Sequence, residues 1–371
     1  MNVILHWIAG VVARIARTLD LWLMLPLFAL MGIGLAVLHS AGGQDMAVVY
    51  KQGGRFAVGL AALWLLSRVS PMRLRGFSPF LFGASLVPLL LVLPFGTGEH
   101  GRHWLGIPGV FVFQPAELLK LTLPMILAWY LNRQPLPPRL GTVLVAGSLL
   151  VLPVALILLQ PDFGTAMLVV ASGTFALFLA GLSWWWFGAA VGAVAAAAPV
   201  AWFWLLRPYQ KDRILTFLDP ESDPLGAGWN IIQSKIAIGS GGFTGQGWGE
   251  GSQSYLDYIP EHTTDFIFAV LAEEFGWAGV AVTLALYLCV IARCLWIASE
   301  ARDGFARLLA GSLGLAFFVY VLVNAGMISG LLPVVGVPMP LLSYGGTSAV
   351  SLLAGMGIVM AVRAHRPVHM R

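Results

Sequence analysis

The sequence predicts an all-α polytopic membrane protein: ten transmembrane helices, both termini cytoplasmic, and a long extracytoplasmic loop between the seventh and eighth. Three observations carry that reading. First, the 371 residues include only 21 Lys and Arg and 17 Asp and Glu, so charged residues are 10% of the chain and hydrophobic ones 58%. Soluble domains are about 25% charged, and no water-facing surface can be built from so little charge. A soluble globular protein, a disordered chain and a nucleic-acid binder are excluded together; the net charge of +4 comes from cations scattered singly between apolar runs. Second, apolar stretches recur at about the 20 residues a helix needs to cross a bilayer. Third, the cations fall unevenly between the two sides those stretches define.

Taken in order, residues 1–20 read as a cytoplasmic amphipathic segment. Ile4, Ile8, Val11, Ile15 and Leu19 recur at helical spacing, as in a helix lying along the membrane surface. Arg14 and Arg17 follow the apolar part rather than precede it, the wrong order for a cleaved signal. Residues 21–371 then form a single membrane domain. Its spans lie near 21–39, 54–70, 78–96, 115–132, 141–160, 163–181, 184–206, 265–298, 307–330 and 341–362. Helix is the expected form throughout, because in lipid every backbone polar group must be satisfied within its own segment. With the N-terminus inside, thirteen of the 21 Lys and Arg residues face the cytoplasm and seven the other side, Lys120 lying within a span. The positive-inside rule selects that orientation. Cys289 and Cys294 sit five apart in one apolar stretch and offer neither a disulfide framework nor a metal-ligand spacing.

The interval 207–265 stands apart. It holds eight of the 17 acids, the cations Arg207, Lys211, Arg213 and Lys235, and five Tyr and Trp residues. A segment this long between spans is usually functional. Asp219-Pro220 and Asp223-Pro224 read as turns. Trp229 to Ile238 has the spacing of a short amphipathic helix, ended by the glycine-rich run Gly239 to Gly251.

Charged residues at membrane depth or at its edge are functional candidates by default. Glu117 and Lys120, three apart in the fourth span, share a face and can neutralise each other, either in binding or as a structural pair locking helices. Gln114-Pro115 before them reads as a helix start after a Gly- and Pro-rich re-entrant segment, residues 96–110. Asp162 opens the sixth span and Asp265 the eighth; each is placed as a helix N-cap would be. Asp265 also closes the long loop, with His262 one turn away, where a carboxylate could accept a proton from a bound hydroxyl. Glu273 and Glu274 are adjacent, so at least one must hydrogen-bond a neighbouring helix. Pro338-Met339-Pro340-Leu341-Leu342-Ser343-Tyr344-Gly345-Gly346 predicts a broken helix around Ser343, tolerated at depth only where it lines a cavity or is buried in protein.

Several stretches resemble the SEDS family (shape, elongation, division and sporulation), most closely its rod-elongation branch, from about Leu21 to the C-terminus. They are Gln160-Pro161-Asp162-Phe163-Gly164-Thr165, Leu218-Asp219-Pro220-Glu221-Ser222-Asp223-Pro224-Leu225-Gly226, Ile232-Gln233-Ser234-Lys235-Ile236-Ala237-Ile238-Gly239, His262 through Glu274, and Pro333 through Gly346. The resemblance implies ten transmembrane helices and a glycosyltransferase that polymerises lipid II on the outer face of the bacterial cytoplasmic membrane. It also implies partners: a class B penicillin-binding protein, which is the cross-linking transpeptidase, and other membrane proteins of the elongation complex. It assigns the essential aspartate to Asp265. Here the family's His-Thr-Asp-Phe segment is one residue longer, His262-Thr263-Thr264-Asp265-Phe266, and the residues after it set the alignment. Glu117 and Lys120 match the family's Gln-Pro-Ser-Glu-x-x-Lys, with Ala116 in place of the serine. Trp104 matches an Arg-Trp pair whose cation is Arg102 or whose place is taken by His103.

On this reading Asp265 is the catalytic base. Glu117, Lys120, Trp104, Arg102, Asp162, Arg213, Lys235, His262 and Ser343 are the expected substrate-binding residues, with Arg102, Arg207, Arg213 and Lys235 supplying charge to a departing diphosphate. No cofactor is required, and no ligand set demands a metal, although a divalent ion is compatible with a diphosphate leaving group. The alternative is a lipid II flippase without bond chemistry, since paired intramembrane charges and broken helices also mark transporters.

Overall fold

The computed structural model of the chain describes residues 18–98, 103–107, 111–206, 208–222, 228–251 and 262–365. Most of the expected amphipathic segment 1–20, the turn at Asp223-Pro224 and the side chains of Arg102 and Arg213 lie outside this description.

Among the described residues each expected span holds a helix. In chain order the long helices are α1 (Leu21–Ala41), α2 (Met46–Ser67), α3 (Pro71–Phe95), α4 (Ala116–Leu131), α5 (Leu140–Leu158), α6 (Phe163–Leu179) and α7 (Trp184–Val200), which runs into a π-turn, Ala201–Leu205. After it come α8 (Pro208–Leu218), α9 (Trp229–Ser240), α10 (Ile267–Glu300), α11 (Gly304–Ile328) and α12 (Thr347–Ala364). Among the described residues seven are long and apolar enough to cross a membrane: α1, α3, α5, α7 with its π-turn, α10, α11 and α12; α6 is a shorter apolar helix. By contrast α4 has 16 residues and carries Glu117 and Lys120, while α2 begins with polar turns containing Lys51, Gln52 and Arg55.

Local chemistry sets the helix starts. Asp20, Asp45, Ser70, Asp162 and Asp303 each accept a backbone N–H of the first turn of α1, α2, α3, α6 and α11, satisfying a donor that has no partner within the helix. Asp162 is thus the cap its position suggests. Asp265 is not: the cap position of α10 falls on Phe266, and Asp265 ends the turn before it.

At the centre stands α11, packed against α10, α6, α4 and α12, while α12 also lies along α2 and α10 along α1. Phe305, Leu309, Phe317 and Met327 of α11 are fully or almost fully buried. In contrast, no residue of α7 is buried. At the end of the bundle holding the first residues of α1, buried Asp20 accepts from Arg293 of α10 through both Nε (3.0 Å) and Nη2 (2.8 Å). Arg363 Nε of α12 lies 3.2 Å from the same carboxylate. One carboxylate therefore caps α1 and ties three helices. Asp20→Ala is expected to lower stability by about 1–3 kcal/mol, the arginines being part-exposed, read as a lower melting temperature of the purified protein.

Two features depart from the sequence reading. The segment after α3 forms an antiparallel hairpin, β1 (Leu105–Ile107) with β2 (Phe111–Phe113), pairing Leu105 with Phe113 and Gly106 with Val112. Thr97 bridges Trp104. This hairpin occupies part of the stretch read as re-entrant and adds a little strand to the helices of the described residues: Leu, Ile, Val and Phe suit a pleated pair, and pairing satisfies the backbone without helix. Among the described residues of 208–251 the added element is α8, while the 3-10 turn Pro220–Ser222, the short helix α9 and the glycine-rich turn stand where the sequence places them.

That turn has a specific task. The helix α10 breaks at Gly276 (φ 64°), which frees backbone groups on either side. Gln246 N and Gly247 N donate to the carbonyls of Glu273 and Glu274, while Trp277 N and Ala278 N donate to those of Gly242 and Phe243. The approach is so close that a Cβ at Gly245 would lie 2.0 Å from Glu274 O; only glycine allows it. Glu274 meets the expectation of a neighbouring partner: its Oε1 accepts from Ser40 Oγ of α1 and from Gly249 N.

Candidate active site

A cavity of about 590 Å³ opens between α4, α6, α9, the start of α10 and the broken segment before α12. Its walls carry five of the sequence candidates, Trp104, Glu117, Lys120, Asp162 and Asp265, which are spread over some 160 positions of chain. Leu168, Phe266 and Val337 supply apolar surface. A pocket of this size lined by a few convergent polar groups is the usual form of a ligand site.

Two of its three carboxylates are committed to holding helices. Glu117 and Lys120 lie one turn apart on the inward face of α4. Glu117 Oε1 accepts from Lys120 Nζ at 2.7 Å, and Oε2 from Ser351 Oγ of α12 at 2.6 Å. Both residues are buried, and the ammonium also lies 4.8 Å from the ring centroid of Tyr320. In such surroundings a lone charge would be costly, and the pair survives because each neutralises the other. Asp162 accepts from Thr165 N at 3.0 Å as the cap of α6, and from Gln114 Nε2 at 2.6 Å.

Asp265 is held differently. The three carbonyls before and at this residue are each anchored: Thr263 O accepts from Tyr344 N (2.9 Å), Thr264 O from Ser343 Oγ (2.6 Å) and Asp265 O from Asn324 Nδ2 (2.7 Å). The carboxylate faces the opposite wall, where a Cβ on Gly336 would stand 3.4 Å from its Oδ2. Gly336 has φ +71°, a left-handed conformation that costs other residues about 1–2 kcal/mol. Gly336→Ala is therefore expected to lower the melting temperature through its backbone, while its methyl group would only touch the Asp265 carboxylate.

The broken segment before α12 lines the cavity, as a break at that depth should. Pro338 and Tyr344 to Ser348 contribute to the wall. Leu341 is buried with φ +62°, a strained conformation that persists only where neighbours over-determine it. They do: Tyr287 OH donates to Pro340 O at 2.5 Å, and Ser343 Oγ accepts from Met339 N at 2.7 Å. Arg55 lies 4.1 Å over the ring of Tyr344 and donates to Gln52, whose Oε1 also accepts from Gly345 N.

Of the remaining candidates, Ser343 is buried in these backbone bonds rather than lining the cavity. Lys235 is exposed on α9, its stem against Gly330, and His262 sits in the turn before α10; neither lines the cavity. Arg102 lies outside the described residues, while its neighbour His103 does line the cavity. For Arg213 only the helical backbone of α8 is described. Sequence reasoning missed Asn230, Asn324, Thr165 and Tyr344. Thr165 and Tyr344 lie within motifs quoted above, and Asn324 left a signal of its own, an amide near the end of an apolar helix.

The model of the FtsW, RodA and SpoVE family, described as cell cycle protein, matches residues 13–367. The chain is 48% identical over 349 residues to the peptidoglycan glycosyltransferase MrdB of Escherichia coli (strain K12), covering 94% of each. It is similar to a chain solved in work on the structural coordination of polymerization and crosslinking by a peptidoglycan synthase complex. That match has a TM-score of 0.83 at 35% identity and covers 94% of this chain and 98% of the other. The rod shape determining protein RodA of Thermus thermophilus matches with a TM-score of 0.72 at 31% identity, covering 94% and 98%.

Proposed function

This chain belongs to the FtsW, RodA and SpoVE family and is a peptidoglycan glycosyltransferase, and from that premise we propose that it polymerises lipid II with Asp265 as general base, for cell elongation and rod shape. The observation that carries the mechanism is the single cavity whose wall Asp265 shares with Asp162, Trp104 and the Glu117–Lys120 pair.

Lipid II presents a disaccharide-pentapeptide on undecaprenyl diphosphate. In the reaction the 4-hydroxyl of one GlcNAc attacks the anomeric carbon of a MurNAc. Asp265 takes the hydroxyl proton as the new carbon–oxygen bond forms. The bond from that carbon to the diphosphate breaks, and the diphosphate leaves with the electron pair. An α-linked donor gives a β-1,4 product by this single inverting displacement, so one base suffices. Asp162 and Glu117, whose oxygens are already taken by donors, orient the site and balance Lys120. The departing diphosphate calls for cations; Lys120 stands in the cavity, Arg102, Arg207 and Arg213 are the further candidates, and Lys235 stands outside its wall. Trp104 bounds the sugar-binding side, while His262 stands outside the cavity wall in the turn before α10. A divalent ion is compatible with this chemistry as a companion of the diphosphate.

The reading further takes ten helices, α1 to α7 and α10 to α12, as spans, with both termini cytoplasmic by the positive-inside rule. That puts the cavity on the extracytoplasmic face of the bacterial inner membrane, where lipid II is displayed. A class B penicillin-binding protein, working with other elongation-complex membrane proteins, would cross-link the emerging strand.

The experiment is incubation of purified protein with labelled lipid II, with and without the transpeptidase, followed by gel separation of glycan strands. A ladder of polymer is expected. Transfer of intact lipid II across vesicles without any polymer would support the flippase instead.

A further inference from the structure

We infer that Asn324 is the positioning residue for Asp265, an inference that rests on reading Asp265 as the base. Asn324 lies on α11, the helix at the centre of the bundle, and is fully buried. Its Nδ2 donates at 2.7 Å to Asp265 O and at 2.7 Å to Val337 O. A primary amide nitrogen carries two protons, so one group serves both acceptors, and flipping the amide would set Oδ1 against two carbonyl oxygens. The orientation is therefore determined by the contacts themselves.

These two acceptors belong to two separate segments that both line the cavity. One is the backbone of the aspartate. The other is in Gly336-Val337, the strip that faces its carboxylate, where a Cβ on Gly336 would be 3.4 Å from Asp265 Oδ2. A single amide on the central helix thus ties the backbone of the base to the strip beside its carboxylate. The neighbouring carbonyls of Thr263 and Thr264 are anchored by Tyr344 and Ser343, which lie in the strained segment before α12. The bond at Asp265 itself is the one that reaches a helix.

The chemistry explains why asparagine stands there. An aspartate would place negative charge beside two carbonyls, a leucine would leave both unsatisfied, and a glutamine is one methylene too long. Its surroundings otherwise include buried Tyr320, Val321, Val323 and Met327, where a polar amide is unfavourable unless it is used. Its Oδ1 has no hydrogen-bond partner among the described residues, so stability alone does not account for the choice. Catalytic geometry is sensitive at this scale: misplacing a reacting group by about 1 Å can lower the rate roughly 100-fold.

The test compares Asn324→Leu, Asn324→Ser and Asp265→Asn with the parent protein, each checked for folding by its melting temperature and elution profile. Strand formation from labelled lipid II is measured across pH. Asn324→Leu is expected to lower kcat roughly 100-fold, to leave KM for lipid II within a few-fold, and to move the acid limb of the pH–kcat profile. Asn324→Ser keeps one donor and should retain part of the rate; it takes over the decision if the leucine variant does not fold. A purely structural asparagine would change the amount of folded protein, but not kcat per folded molecule or the acid limb. Unchanged values of both in the folded variants overturn the inference. Polymerisation by Asp265→Asn would instead overturn the assignment of the base, whereas an inactive Asp265→Asn beside unaffected Asn324 variants removes only the positioning role.

Discussion

Asp265→Asn is expected to abolish strand formation from lipid II, lowering kcat by roughly 10²- to 10⁴-fold, the range a positioned general base supplies. The variant keeps the volume and planarity of the side chain, and the backbone carbonyl of residue 265 remains bonded to Asn324. Folding, lipid II binding and association with the transpeptidase should therefore persist. What is lost is the acceptor for the proton of the 4-hydroxyl. Undiminished polymer on the gel would mean that another group takes that proton. The available alternatives are poorer: both oxygens of Glu117 and both of Asp162 already accept hydrogen bonds, and freeing one would break an ion pair or uncap α6.

Removing one half of the buried pair should have the largest effect on stability. Glu117→Leu leaves the Lys120 ammonium, 9% exposed, without its carboxylate, beside the ring of Tyr320 at 4.8 Å. An uncompensated buried charge costs about 3–5 kcal/mol, so the expected result is a large fall in melting temperature together with lost activity. The double variant Glu117→Leu/Lys120→Met removes both charges and should recover most of the stability, since well-packed apolar replacements for buried pairs are often neutral. Its activity then separates two roles for Lys120. A folded, inactive double variant makes the ammonium part of diphosphate binding; a folded, active one leaves the pair as a lock between α4 and α12.

Much of this molecule was legible before any coordinates. Asp162 caps α6, Glu117 pairs with Lys120 one helical turn away, and Glu274 bonds across to α1, because capping, i,i+3 pairing and the cost of a buried carboxylate act over short range. Strand pairing in β1 and β2 was not legible, since three-residue strands carry too little periodicity to outweigh a Gly- and Pro-rich setting. Ser343 was read as a substrate contact from its place among prolines and glycines; its hydroxyl is taken by Met339 N and Thr264 O, partners chosen by how the broken segment closes on the start of α10. Lys235 was grouped with the site for its charge and its side of the membrane, yet it is exposed on α9, outside the cavity wall.

Class, most helices and the residue types available for chemistry can be read along the chain, because hydrophobic length, charge scarcity and cap residues are local properties. Which of those residues meet is a matter of packing. Trp104, Glu117, Asp162 and Asp265 converge because α11 gathers α4, α6, α10 and α12 around it, and Asn324 matters because two carbonyls from distant segments arrive at one amide. Such long-range coincidences depend on how helices pack against one another, and no short stretch of sequence records that.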